Sequence, residues 1–148
     1  MPKTNITVNA RCIGGTMTVV SGQNYTWYID EPADLGGADC APSPVQMLMG
    51  SIAGCITATG QRVAREMDLA LGNIGMRVSG TIYPDRFLGE EAAQALRSGF
   101  TDIRVEITGA PAWTKEQRAR WLAEVYRRCP VIDNVAAPTC LKLAWKEP

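Results

Sequence analysis

The stretch SPVQMLMGSIAGCITATGQRVAREM, beginning at Ser43, constrains this chain more than any other. Ser43 can accept hydrogen bonds from the free N–H groups of a first helical turn. Pro44 suits the position just after such a cap, and Gln46, three residues on, can close a capping box. These residues predict a helix from Ser43 to about Met67. Its first four turns are apolar on nearly every side, and polarity returns only at Gln61, Arg62, Arg65 and Glu66, the pattern of a buried helix. Gly50 and Gly54 have the small-xxx-small spacing that lets another backbone come close. No run reaches the roughly 18 apolar residues of a membrane span, so the spacing reads as close helix packing in a globular fold.

Short strands surround this helix in the sequence. Ile6, Val8, Ala10 and Cys12 alternate with Thr7, Asn9 and Arg11. After the Gly14-Gly15 turn, TMTVVS and YTWYID read as two further strands joined at SGQN. Residues 31–42 collect Pro, Gly and Asp and form the longest loop; no Gly-Lys-Ser/Thr follows the glycine pair, so this is not a phosphate loop. Beyond the long helix, Ile74, Met76, Val78 and Ile82 mark a half-buried strand, EEAAQALRS a short helix, and Ile103, Val105 and Ile107 another strand. Thr114 and Gln117 repeat the capping box and start a helix to about Arg128. Trp121, Leu122, Val125, Tyr126 and Cys129 share its apolar face, and Pro130 marks its end. LKLAW reads as a final strand with Leu141, Leu143 and Trp145 facing the core. The order predicts an α+β fold, an antiparallel sheet with two main helices, in a single domain over residues 1–148.

Charge and composition exclude several functions. Fifteen basic side chains balance fifteen acidic ones, leaving no net field to recruit nucleic acid or an anionic membrane, and neither is expected as a partner. MPKTNITVNA lacks the apolar core of a secretory signal, which predicts a cytoplasmic protein and removes weight from the Asn-x-Thr triplets at Asn5 and Asn24. Histidine is absent, which removes the commonest zinc ligand and the usual base of serine and cysteine nucleophiles. Chemistry falls to thiols, carboxylates, Arg and Lys, or the backbone.

Five cysteines are present, at positions 12, 40, 55, 129 and 140. An odd number without a CxxC pair, in a chain of this length, predicts neither a disulfide framework nor a cysteine-only metal site. Cys12 and Cys140 fall in strand patterns and read as packing residues; Cys40 lies in the loop before the long helix and reads as a loop cysteine. Cys55 lies among small residues inside the helix, where a free cysteine packs as a small hydrophobe. Cys129 follows Arg127-Arg128, whose charge favours a thiolate, but it also ends a helix, whose dipole opposes one. Local physics leaves filler and reactive thiol equally open there.

Taken together, LGGADCAPSPVQMLMGSIAGCITATGQRVAREM, the following strand IGMRVSGTIY, and RRCPVIDN before a last strand resemble the OsmC/Ohr superfamily over nearly the whole chain. The resemblance implies an intertwined homodimer wound around long central helices. It also implies a peroxidatic thiol at Cys55 and a resolving thiol at Cys129. In that chemistry the Cys55 thiolate attacks the terminal oxygen of an organic hydroperoxide and becomes a sulfenic acid, Cys129 condenses with it to a disulfide, and an external dithiol, such as a dihydrolipoyl protein, restores both thiols. It needs no metal, haem or flavin cofactor. The sequence departs from the family at the activating charges. The glutamate of the helix's first turn falls at Val45, and Arg11 stands about four residues from where the family's arginine aligns, on the polar side of its strand. The expected function is thiol-dependent reduction of organic hydroperoxides in oxidative-stress defence. The rival is a binding protein of the same fold that holds a small hydrophobic molecule at the dimer interface.

Overall fold

The structure is a computed structural model that describes residues 2–109 and 112–145. Its contacts group into two compact units. One comprises the chain up to Gly50 together with Gly80–Ile103, the other Ser51–Ser79 together with the chain from Arg104 onward.

In the first unit β1 (Asn9–Gly14), β2 (Met17–Gly22) and β3 (Tyr25–Ile29) form the expected antiparallel meander in the order β1-β2-β3. Ala10 stands opposite Val20, and Val20 opposite Trp27. Gly14 and Gly15 take φ of 142° and 54°, the left-handed region that glycine enters at little cost, and they make the first turn. The first strand is shorter than predicted. Residues 2–8 have no regular structure, and all six residues of β1 are exposed: among the described residues nothing covers the face that Ile6 and Val8 would share with it.

At the end of β3 the buried Asp30 organises the long loop. Its carboxylate accepts from the Thr16 hydroxyl at 2.6 Å and from the backbone N–H groups of Ala38 at 3.0 Å and Cys40 at 3.2 Å. These hydrogen bonds, Thr16's first, hold it below the ordinary carboxylate range. The loop turns through a 3₁₀ turn at Ala33–Leu35 and packs so closely that a Cβ on Gly37 would lie 1.7 Å from the Glu31 carbonyl oxygen. The expected short helix around EEAAQALRS is only a 3₁₀ turn, Glu91–Ala93, preceded by a four-residue helix α2 (Pro84–Phe87) that the pattern did not reveal.

The long helix α1 runs Pro44–Glu66, as its pattern predicts. Gln46 N–H donates to Ser43 Oγ, and Ser43 N–H to Gln46 Oε1 at 2.8 Å, so the capping box forms. Its burial, however, is one-sided. Ile52, Ile56, Gly60, Val63 and Ala64 are buried, while Gly50, Ser51 and Gly54 on the opposite side are exposed, as are Val45 and Leu48 in the first turns. The chain has too little core to surround a helix of this length, so the expectation of burial all round fails for the chain alone.

Strands β4 (Gly75–Thr81) and β5 (Asp102–Thr108) pair as a two-stranded sheet. Met76 and Val78 on one, and Ile103, Val105 and Ile107 on the other, alternate half-buried with exposed neighbours, as predicted. In the second unit α3 (Lys115–Arg128) starts at the Thr114–Gln117 capping box, which forms in full. Trp121, Val125 and Cys129 are buried at i, i+4, i+8. Leu122 and Tyr126, about 100° further round the helix, are exposed, so the predicted apolar face is narrower than its five residues. Trp121 lies across α1: its Nε1 donates to the Gly60 carbonyl at 3.0 Å, and its ring fills the space a Gly60 side chain would need. Trp113, edge-to-face with Trp121 at 5.9 Å, donates to the Ala70 carbonyl at 3.1 Å.

The predicted last strand is not formed. Residues 141–145 belong to neither sheet, and Leu141, Leu143 and Trp145 are 90%, 97% and 91% exposed rather than inward-facing. A strand needs a neighbour to complete its hydrogen bonds, and neither sheet of the chain supplies one. Among the described residues no helix is long and apolar enough to cross a membrane.

Candidate thiol site

Cys55 sits near the middle of α1, between Ile52 and Ile56 on the buried side, and is half-buried. Cys129 is fully buried. It is the single extended residue, φ −77° and ψ 112°, between α3 and a second helix, α4 (Pro130–Ala136), that follows at once. Its N–H closes α3 on the Val125 carbonyl at 2.9 Å, and its carbonyl accepts from Asp133 N–H at 3.0 Å in the first turn of α4. Pro130 therefore does more than end a helix. It occupies the first position of the next one, where its missing N–H costs nothing. The sequence signal for this second helix is Pro130 itself, which suits a first helical position as well as a helix end.

The fold brings the two cysteines into the same neighbourhood from positions 74 residues apart: Cys55 is among the groups that act on the Cys129 thiol. The Cys129 thiol is pushed above its ordinary value, first by burial and then by the hydrogen bond with Cys55. The N–H groups of Ile132 and Val131, which open α4 and point back at the sulfur, oppose the shift without reversing it. This resolves the open balance at Cys129. The adjacent arginines do not make it a thiolate, because both are engaged elsewhere.

Arg128 leaves the junction to meet Glu66 on the last turn of α1 in a two-pronged ion pair, Nη2 to Oε1 at 3.1 Å and Nη1 to Oε2. Arg127 pairs within α3 with Glu124 at 2.7 Å. Arg62 joins Glu66 at 3.0 Å, and the Glu66 carboxyl is held low by Arg128 above all. Nothing in the spacing of the sequence linked Glu66 to Arg128.

Val45 and Arg11, at the positions weighed for the activating charges, are both exposed and belong to the first unit, whereas the thiol pair belongs to the second. Cys12 and Cys140 are exposed, which corrects their reading as packing residues: β1 has no cover, and Cys140 lies in the unpaired C-terminal segment. Cys40 is exposed in its loop as expected, its Sγ 3.4 Å from the Ala38 carbonyl oxygen. Among the described residues no three or more Cys, Asp or Glu side chains gather where they could hold a metal ion.

The model of the OsmC-like protein family matches residues 36–144, from the glycine loop through both cysteines to the C-terminal segment. The chain belongs to the OsmC-like family. No curated protein sequence matches it, but solved structures share its fold. An OsmC-like protein from Mycoplasma pneumoniae has a TM-score of 0.77 at 14% identity, covering 93% of this chain and 91% of its own. The organic hydroperoxide resistance protein OsmC from Legionella pneumophila has 0.64 at 19%, covering 91% of both chains. An organic hydroperoxide resistance protein from Elizabethkingia anophelis has 0.64 at 21%, covering 93% of both. At these identities the likeness is one of fold, and it places the α1 cysteine and the α3–α4 junction of this OsmC-like chain within a known α+β architecture.

Proposed function

We propose that this OsmC-like protein is a thiol-dependent peroxidase for organic hydroperoxides, with Cys55 as the peroxidatic and Cys129 as the resolving residue. The observation that carries the reading is the proximity of the two thiols. Of five cysteines, the two whose sequence contexts resemble the family's pair are the two whose thiols influence one another. In the first step the Cys55 thiolate attacks the terminal peroxide oxygen. The O–O bond breaks, the alkoxide takes a proton and leaves as alcohol, and Cys55 becomes a sulfenic acid. In the second, the Cys129 sulfur attacks the Cys55 sulfur, the S–S bond forms, and hydroxide leaves and is protonated to water. An external dithiol of the dihydrolipoyl kind then returns two electrons and two protons by exchange. A resolving thiol that is neutral at rest suits this order, since it does not compete for peroxide. Ile52 and Ile56 beside Cys55 favour an apolar peroxide over a hydrated one.

The working form is proposed to be a homodimer. Val45 and Leu48 in the first turns of α1, the small residues Gly50 and Gly54 on its open side, and the alternating Leu141, Leu143 and Trp145 are surfaces that a second copy would cover.

The test is steady-state consumption of dihydrolipoamide by reduced protein with cumene hydroperoxide. Alcohol is expected to form one for one with dithiol oxidised, and Cys55→Ser is expected to lower turnover to background. Turnover that survives this change overturns the reading. The rival, binding of a small hydrophobic molecule without thiol cycling, draws support from Val45 and the exposed Arg11, which leave the thiol without the family's activating pair. Intact mass after one equivalent of peroxide separates the two: a Cys55–Cys129 disulfide for the peroxidase, unreacted thiols for the binder.

A further inference from the structure

The ion pair between Glu66 and Arg128 has no part in the chemistry described so far, yet it joins the helix that carries Cys55 to the residue directly before Cys129. Cys129 sits at a one-residue break between helices, its backbone held by single hydrogen bonds to Val125 and Asp133. A junction of that kind frays easily, because the last carbonyls of α3 and the first N–H groups of α4 lack helical partners. Arg128 is gripped from two sides, by both carboxylate oxygens of Glu66 and, more distantly, by Glu124 at 3.9 Å. Its neighbour Arg127 makes no such crossing and pairs only within α3.

We propose that Glu66 and Arg128 are positioning residues: their ion pair clamps the α3–α4 junction to α1 and so holds the Cys129 sulfur against Cys55 for disulfide closure. The inference deepens the reading of these cysteines as a peroxidatic and resolving pair and rests on it. The clamp acts through geometry, because Arg128 is committed to Glu66 and the resting Cys129 thiol is raised rather than lowered. Side chains 26% and 45% exposed leave the pair open to screening by salt, which gives it a signature that packing lacks.

Closure is best measured apart from peroxide chemistry. In protein with Cys12, Cys40 and Cys140 replaced by serine, a diazene oxidant such as diamide takes two electrons and two protons from the Cys55 and Cys129 thiols. The S–S bond forms and the diazene becomes the hydrazine; alkylation and intact mass follow the rate. At low ionic strength Glu66→Gln is expected to slow closure by roughly twofold to fivefold, the effect of losing a well-formed but exposed ion pair. Arg128→Ala should slow it as much, the double variant no further, Arg128→Lys less, and Arg127→Ala not at all. Added salt should slow closure in the protein with Glu66 and Arg128 intact and leave Glu66→Gln unchanged.

The clamp is overturned by Glu66→Gln closing at the parent rate, or faster, as it would if freeing Arg128 lowered the Cys129 thiol. It is equally overturned by closure in the intact pair that does not respond to salt, a measurement that requires no variant at either position to fold. Failure of diamide to close the pair at all removes the clamp as well. If diamide closes the disulfide with the expected dependence on Glu66 while cumene hydroperoxide leaves Cys55 reduced, the clamp stands and the peroxidase reading falls.

Discussion

Cys129 condenses much of the chemistry into one position. It stands at the junction of two helices, lies near the other thiol and carries a value raised above the ordinary 9.0 by burial first. The consequence is a pH dependence with a definite sign. Below the raised value the thiolate fraction grows with pH, and thiol attack on an oxidised sulfur follows that fraction. In single-turnover experiments, with Cys55 first converted by one equivalent of hydroperoxide, closure is expected to accelerate about tenfold per pH unit between roughly pH 7 and 9. A profile that is flat or saturates near neutrality would mean that Cys129 is a thiolate at rest. The sequence showed Cys129 beside two arginines and could not weigh those charges against burial, since burial is a property of the packed core and the guanidinium groups find their partners only there. Asp30 teaches the same lesson. Its loop was legible from Pro, Gly and Asp, whereas the buried carboxylate that ties the loop together was not, because its donors are backbone N–H groups whose directions the side-chain pattern does not encode.

Among the elements, α1 and α3 were the most legible, both starting at capping boxes that form as their residues predict. Capping is local, and so is the 3.6-residue periodicity, so each survives whatever packs around it. What stayed hidden is the contact between them, the edge of Trp121 against Gly60. The small residues of α1 signalled close approach without saying to what, and the structure divides them: Gly60 accepts a tryptophan of the same chain, whereas Gly50 and Gly54 face open space. Gly60→Ala is therefore expected to cost about 1–3 kcal/mol, since its methyl group would sit 2.4 Å from the Trp121 ring. Gly54→Ala should not destabilise the isolated protomer. Urea unfolding of the two variants checks the contrast, and equal midpoints would show that Trp121 can move aside. The elements predicted least well were the short ones, α2 and the two 3₁₀ turns, whose few residues give periodicity too little length to register.

On the scale of the whole molecule, the described residues leave apolar surface near both ends of the chain and in the first turns of its longest helix. The homodimer proposed above gives these surfaces a common purpose, with 141–145 as a strand completed by the second copy. Light scattering behind size exclusion should then give twice the 16.0 kDa chain mass, and Leu141→Lys with Leu143→Lys should shift the protein toward the monomer. A wild-type protein that elutes as a monomer at micromolar concentration would remove the proposal.

What the sequence determined by itself was the order and type of the long elements and, through the contexts of Cys55 and Cys129, the family. Caps, turns and hydrophobic periods are written in neighbouring residues and need no partner to be read. Tertiary structure alone decided how deeply each thiol is buried, which charges hold their helices together, and which predicted strands and helix faces remain open, because each of these depends on residues far apart in the chain arriving at the same place.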